Sequence, residues 1–198
     1  MVLFVKRLLD IVGSGCLLLL FCPLLVWAIV AVRRDSPGPA IFCQTRIGRD
    51  GVPFKLFKIR TMRIGAELEW VPPAQKDFLG YVFQAPHDAR VTRIGGFLRR
   101  TSIDELPQLV NVLKGEMSLI GPRPEIPEMV ALYTPEMHRR HQVRPGITGL
   151  AQVSGRGALT TEQILSYDLK YCESWTLKLD FWILGQTIRQ IFTGQQAY

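Results

Sequence analysis

The sequence predicts an α+β, mostly helical protein held at a membrane by an N-terminal re-entrant helix-break-helix, with a short β-hairpin and amphipathic helices at the interface, a monotopic arrangement. Three observations predict it. Residues 11–32 carry no charge and are broken by Pro23 at their midpoint. An Asp50-Gly51 step separates two β-favouring runs, a hairpin signal. Most of the remainder alternates apolar periodicity with Gly and Pro punctuation, which reads as short helices and loops. At 198 residues the chain suits one domain plus an anchor, so residues 1–35 are assigned to the anchor and 36–198 to one integrated domain.

The apolar run would reach about 33 Å as a straight helix, roughly the thickness of the hydrocarbon core. No small-residue cleavage site precedes Arg33-Arg34, which argues against a secretory signal. Basic pairs flank both ends, Lys6-Arg7 and Arg33-Arg34, so the positive-inside rule prefers neither orientation. A helix that bends at Cys22-Pro23 and returns leaves both pairs among headgroups of one leaflet, and this re-entrant hairpin is expected over an ordinary span.

Beyond the anchor, strands are expected over 40–46 and 53–59, joined by a turn at Arg49-Asp50-Gly51. A short helix at the membrane surface is expected within 65–85. The arginine-rich stretch 90–103 contains a Gly-Gly step. The next helix should end at Lys114, with Gly115 supplying a left-handed cap. Helices are expected over 127–141 and 161–174. In the last segment Leu179, Trp182, Ile183, Ile188, Ile191 and Phe192 share one face, suited to a membrane interface or to a buried core helix.

Lys and Arg outnumber Asp and Glu by 24 to 17, favouring an anionic partner. No nucleic-acid-binding module is recognisable, and the anchor accounts for the charge, so no nucleic acid is expected. The four cysteines show no metal or disulfide spacing and read as reduced thiols. His87, His138 and His141 form no partner pattern. Tyr167 and Tyr171 read as core packing.

The stretch "TSIDELPQL", residues 101–109, carries adjacent carboxylates, Asp104 and Glu105. Placing Asp104 at a helix N-cap puts Pro107 in the first turn, where its missing N–H costs nothing, and the free N–H groups there would keep Asp104 ionised. Such a carboxylate can bind a metal or attack an electrophile. Cations are close in sequence or rigidly held: Arg99, Arg100, Lys58, Arg60, and Arg123 between two prolines. Basic groups around a carboxylate nucleophile suit phosphoryl transfer. The bland rival is a capped helix with solvated charges. Neither a P-loop nor H-E-x-x-H occurs.

"KRLLD" before the Pro-broken run, "SPGPAIFCQTRIGRDGVPFKLFKIRTM", "RVTRIGGFLRRTSIDELPQLVNVLKGEMSLIGPRPE", "VRPGITGLAQVSGR" and "YDLKYCESW" together closely resemble the bacterial sugar transferases, the monotopic polyprenyl-phosphate phosphoglycosyl transferases, in their minimal catalytic form. The resemblance implies an enzyme that moves a sugar 1-phosphate from a UDP-sugar to undecaprenyl phosphate and releases UMP, at the cytoplasmic face of the bacterial inner membrane, in glycoconjugate or exopolysaccharide assembly. It implies a covalent aspartyl-phosphosugar intermediate and a requirement for Mg²⁺. By motif position Asp104 is the nucleophile and Glu105 its partner, the two also holding the metal. Lys58, Arg99 and the backbone around Arg123 hold phosphate, and Asp168 lines the site; apart from the resemblance, Lys58 and Arg60 lie near a strand that leaves the anchor and could equally hold substrate or lipid headgroups. The family's break is commonly Ser-Pro where this chain has Cys22-Pro23, and a thiol bonds a freed carbonyl more weakly. A non-catalytic membrane scaffold is the alternative, and the apolar C-terminal segment leaves room for a homodimer.

Overall fold

The computed structural model describes residues 2–82 and 88–193; His87 and the end of the stretch expected to be helical before it lie outside them. Helix α1 (Val2–Asp35) is continuous, with Pro23 inside it, and is about 50 Å long at 1.5 Å per residue. Helical backbone thus runs through Cys22-Pro23, and a proline inside a helix is a usual site of a kink. Proline's fixed φ is compatible with a helix, so Pro23 forfeits one hydrogen bond without ending the element.

What holds α1 is its pattern of polar residues. Lys6, Asp10 and Ser14 recur at one-turn spacing and face the protein. Arg7 donates from Nη1 to Val112 O at 2.7 Å and from Nη2 to Leu113 O at 3.0 Å, meeting carbonyls in the last turn of helix α3 (Gln108–Lys114). Asp10 is buried and its Oδ1 accepts from Ser118 Oγ and Leu119 N, both at 2.9 Å. At the other end of α1, Ala28 and Val32 pack against Ala40, Ile59 and Leu98. Between these footholds Leu19 and Leu20 are 80% and 70% exposed. The helix is long and apolar enough to cross a membrane, and only 11% of its most apolar stretch is buried.

Strands β1 (Ile41–Ile47) and β2 (Pro53–Ile59) form the expected antiparallel hairpin, in register from Ile41 opposite Ile59 to Ile47 opposite Pro53. The turn carries positive φ at Asp50 and Gly51. Phe54 and Leu56 alternate inward against Val112 and Met117 of the α3 region. Helix α2 (Arg93–Arg100) occupies the arginine-rich stretch, capped by Thr92, whose hydroxyl accepts from Gly95 N. A Cβ at Gly95 would stand 2.0 Å from Thr61 O, so the glycine that weakens the local helix signal is what lets α2 lie on residue 61. In place of the helix expected before residue 85 there are 3₁₀ turns at Ala66–Glu69 and Gln75–Asp77.

Strands β3 (Ser118–Ile120) and β4 (Gly146–Thr148) pair in parallel, Ser118 beside Gly146 and Ile120 beside Thr148. Gly121 permits this close approach: a Cβ there would meet Arg144 O at 2.4 Å, and one at Gly146 would meet Gly121 N at 2.1 Å. The helix expected over 127–141 is split into α4 (Pro127–Val130) and a 3₁₀ turn at Met137–Gln142, because Pro135 disfavours helical backbone at Thr134. Helix α5 (Leu150–Gly155) follows β4. Helix α6 (Thr161–Ser174) has the expected limits and a full capping box between Thr160 and Gln163. On α7 (Leu177–Thr193) the apolar face divides. Ile183 is buried with Ile120, Leu150 and Tyr171, with Leu179 packed against them, while Trp182, Ile188 and Ile191 are exposed.

Candidate active site

The carboxylate pair sits in a 3₁₀ turn, Ile103–Glu105, between α2 and α3. Asp104 is not a helix N-cap: Pro107 precedes the first residue of α3, and the turn is opened by Ser102 in a left-handed conformation, φ 57°. A non-glycine residue there costs about 1–2 kcal/mol. The turn leaves Asp104 only 7% exposed, while Ile103 packs on the cluster built by the C-terminal half of α1. The site therefore stands directly on the anchor.

Glu105 is the organising acceptor. Its Oε1 takes Lys58 Nζ from the end of β2 at 2.9 Å and Arg123 Nη1 from the loop after β3 at 3.0 Å. Burial alone would raise the Glu105 carboxyl, but Lys58 and Arg123 outweigh it and hold the group well below the usual carboxylate range. Asp104 goes the other way. Burial pushes it up to about 6, Lys58 pulls it down, and the charge on Glu105 raises it again. The expectation that free N–H groups would depress Asp104 is overturned, since among the described residues none donates a hydrogen bond to its carboxylate. Burial lowers Lys58, with Glu105 opposing.

Arg99 donates from Nε to Thr61 Oγ1 at 2.9 Å and adds its field to Asp104. Lys58, Arg99 and Arg123 thus gather at the pair as expected. Arg60 does not: its guanidinium is buried on Pro37 O at 2.6 Å and Ser36 O at 2.8 Å, pinning the chain where it leaves α1. Asp168 is 1% exposed and accepts a hydrogen bond from Arg140, whose guanidinium also reaches the Arg123 carbonyl. Two contacts on the Arg123 loop escape sequence reasoning: Arg140 Nη2 donates to Arg123 O at 2.7 Å and Arg46 Nη1 to Pro124 O at 3.1 Å. In "RRHQVRPG" nothing separates Arg140 from its solvated neighbours, and only the fold shows it buried.

Among the described residues no group of three or more His, Cys, Asp or Glu could hold a metal. The donors at the pair still fit Mg²⁺, which commonly takes one or two carboxylates and completes its shell with water and substrate phosphates. Asp104, which takes no hydrogen bond from the described residues, is the carboxylate available to it.

Comparison with known proteins gives these features a family. The model for bacterial sugar transferases matches residues 1–194. The chain belongs to the bacterial sugar transferase family, and it is a transferase. It is 44% identical, over 98% of its length and 72% of the relative's, to the UDP-glucose:undecaprenyl-phosphate glucose-1-phosphate transferase of Caulobacter vibrioides. The Escherichia coli (strain K12) protein of the same description is 41% identical over 98% of this chain and 41% of its own length. The uncharacterized sugar transferase EpsL of Bacillus subtilis is 39% identical over 98% of this chain and 90% of its own. This member thus spans most of the shorter relatives and about two fifths of the Escherichia coli one.

Proposed function

We propose that this sugar transferase moves a sugar 1-phosphate from a UDP-sugar to undecaprenyl phosphate, with Asp104 as nucleophile. The observation that carries the reading is the division of labour in the pair: one carboxylate whose Oε1 takes two cations, its neighbour buried and, among the described residues, taking no hydrogen bond. Asp104 Oδ attacks the β-phosphorus and the bond to the bridging oxygen breaks, releasing UMP. An oxygen of undecaprenyl phosphate then attacks the same phosphorus, breaks its bond to Asp104 and regenerates the carboxylate. Lys58, Arg99 and Arg123 offset the charge of the incoming diphosphate and of the transferring phosphoryl group. Mg²⁺, when bound, supplies further neutralisation of that charge. The names of the relatives support the lipid acceptor and the sugar-nucleotide donor.

Purified protein in detergent, given undecaprenyl phosphate and a panel of UDP-sugars, should release UMP from one or a few of them, and EDTA should stop it. No UMP from any donor in the presence of Mg²⁺ would leave only a scaffold role.

The same reading places the domain on the cytoplasmic leaflet of the inner membrane with α1 inserted but not crossing. Both ends of α1 dock on one body, through Lys6, Arg7 and Asp10 at one end and Ala28 and Val32 at the other, so the exposed middle is the part offered to lipid. Leu3→Cys and Ser36→Cys, each in a background without Cys16, Cys22, Cys43 and Cys172, should react with an impermeant maleimide from the same side of sealed vesicles. Reaction from opposite sides would establish a span.

A further inference from the structure

Arg140 is 3% exposed, yet its guanidinium serves three segments. Nη2 donates to Asp168 Oδ2 on α6 at 2.5 Å and to the main-chain oxygen of Arg123 at 2.7 Å, and Nη1 donates to Tyr133 Oη at 2.8 Å. Burying such a pair is a poor way to gain stability, because well-packed apolar residues of similar volume often do as well or better. Its geometry suggests another use, since one of the three contacts reaches the active site.

That contact falls between the two prolines of the Arg123 loop. Pro122 and Pro124 fix their own φ angles, and Pro124 confines Arg123 to extended backbone. Within that extended range the ψ of Arg123 can still vary over about 40°, and Arg140 grips the carbonyl that such a rotation would turn. Arg46 Nη1, from β1, holds the next carbonyl, Pro124 O, at 3.1 Å. Between these two arginines the main chain has one orientation, and from it the Arg123 side chain extends to Glu105.

We propose that Arg140, held by Asp168 and Tyr133, is a positioning residue for Arg123: it locks the Arg123 carbonyl and so aims the guanidinium at Glu105 and the donor phosphate. Asp168 then acts on the reaction through Arg140, not by touching substrate or metal. The inference rests on the reading of Arg123 as a phosphate-holding group, and the test separates the two.

The kcat and KM for the UDP-sugar donor are measured for Arg123→Ala, Arg140→Lys and Asp168→Asn, and for each of the last two combined with Arg123→Ala, with melting temperatures alongside. A misaimed contact can cost about a hundredfold, so Arg140→Lys and Asp168→Asn should each lower kcat/KM by about tenfold to a hundredfold. In the Arg123→Ala background neither should lower it further, and the half-saturating Mg²⁺ concentration should stay at its wild-type value throughout. A merely structural role would give the same loss in both backgrounds, and a metal-binding Asp168 would raise the Mg²⁺ requirement; either overturns the proposal. Should the Arg140 or Asp168 variants fail to fold, Tyr133→Phe removes a single contact and carries the same cycle, with a smaller loss that also vanishes beside Arg123→Ala. Full activity of Arg123→Ala itself would instead refute the phosphate-holding reading.

Discussion

Asp104→Asn should fold, bind membranes and lose turnover by about 10⁴-fold or more, the scale seen when a nucleophile that acts as part of a unit is removed. The fold is expected to survive because the amide has the carboxylate's size and, among the described residues, no hydrogen bond to Asp104 is given up. Stability should change in an informative direction. The Asp104 carboxyl is raised to about 6 by burial, so the folded state binds its proton more tightly than the unfolded chain. That contribution is complete below the ordinary carboxylate pKa and is lost as pH rises through 6. The variant lacks it, so its melting temperature should gain on the wild type between pH 4 and pH 7. Mass spectrometry adds the chemical test: with donor alone, wild-type protein should gain one sugar-phosphate mass and release one UMP, while the variant gains nothing. Wild-type turnover by Asp104→Asn, or turnover by the wild type with no adduct under any trapping condition, would remove Asp104 from the nucleophile's role.

How much of this arrangement is legible in the sequence depends on the range over which each feature is decided. The hairpin, the left-handed cap at Gly115 and the limits of α6 rest on neighbours within a few residues, and the chain states them. The parallel pairing of β3 with β4 does not, because Gly121 and Gly146 are needed for each other's backbone across a long loop. A single sequence shows two glycines but not that they meet. Helix α2 was hidden for a related reason, since Gly95 weakens the helix locally and is explained only by Thr61 lying against it. Motif resemblance named Asp104, Glu105, Lys58, Arg99 and Arg123, and the fold gathers them. It also named Asp168, and the count of nearby cations added Arg60; their charges are satisfied elsewhere, on Arg140 and on the carbonyls of Ser36 and Pro37. Composition counts cations. Which carbonyl or carboxylate captures each one is a tertiary matter.

Glu105→Gln is the more revealing of the two changes to the pair, because it alters charge while keeping the size and one acceptor oxygen. In the wild type a single Oε1 answers both Lys58 and Arg123. Without its charge those two cations repel each other across the site, and Asp104 becomes the nearest anion to them. Lys58, already lowered by burial, should fall further, and Asp104 should fall too, since the Glu105 charge that raised it is gone. The nucleophile is then better ionised but worse placed, paired with Lys58 where it had been uncommitted. Turnover is expected to drop on the order of a hundredfold, the usual cost of losing one preorganised electrostatic group. Breaking a buried pair costs about 3–5 kcal/mol, and because Arg123 remains 40% exposed the loss here should sit at or below about 3 kcal/mol. The pH dependence identifies the cause. A carboxylate held below its ordinary value contributes stability that is present above about pH 4.5 and lost as pH falls toward its folded pKa. The wild type should therefore melt higher than Glu105→Gln at neutral pH, and the two curves should converge on acidification. A gap that persists unchanged at low pH would mean that lost packing, and not the lost charge, separates the variants; equal melting temperatures and equal turnover at pH 7 would mean that Glu105 organises nothing.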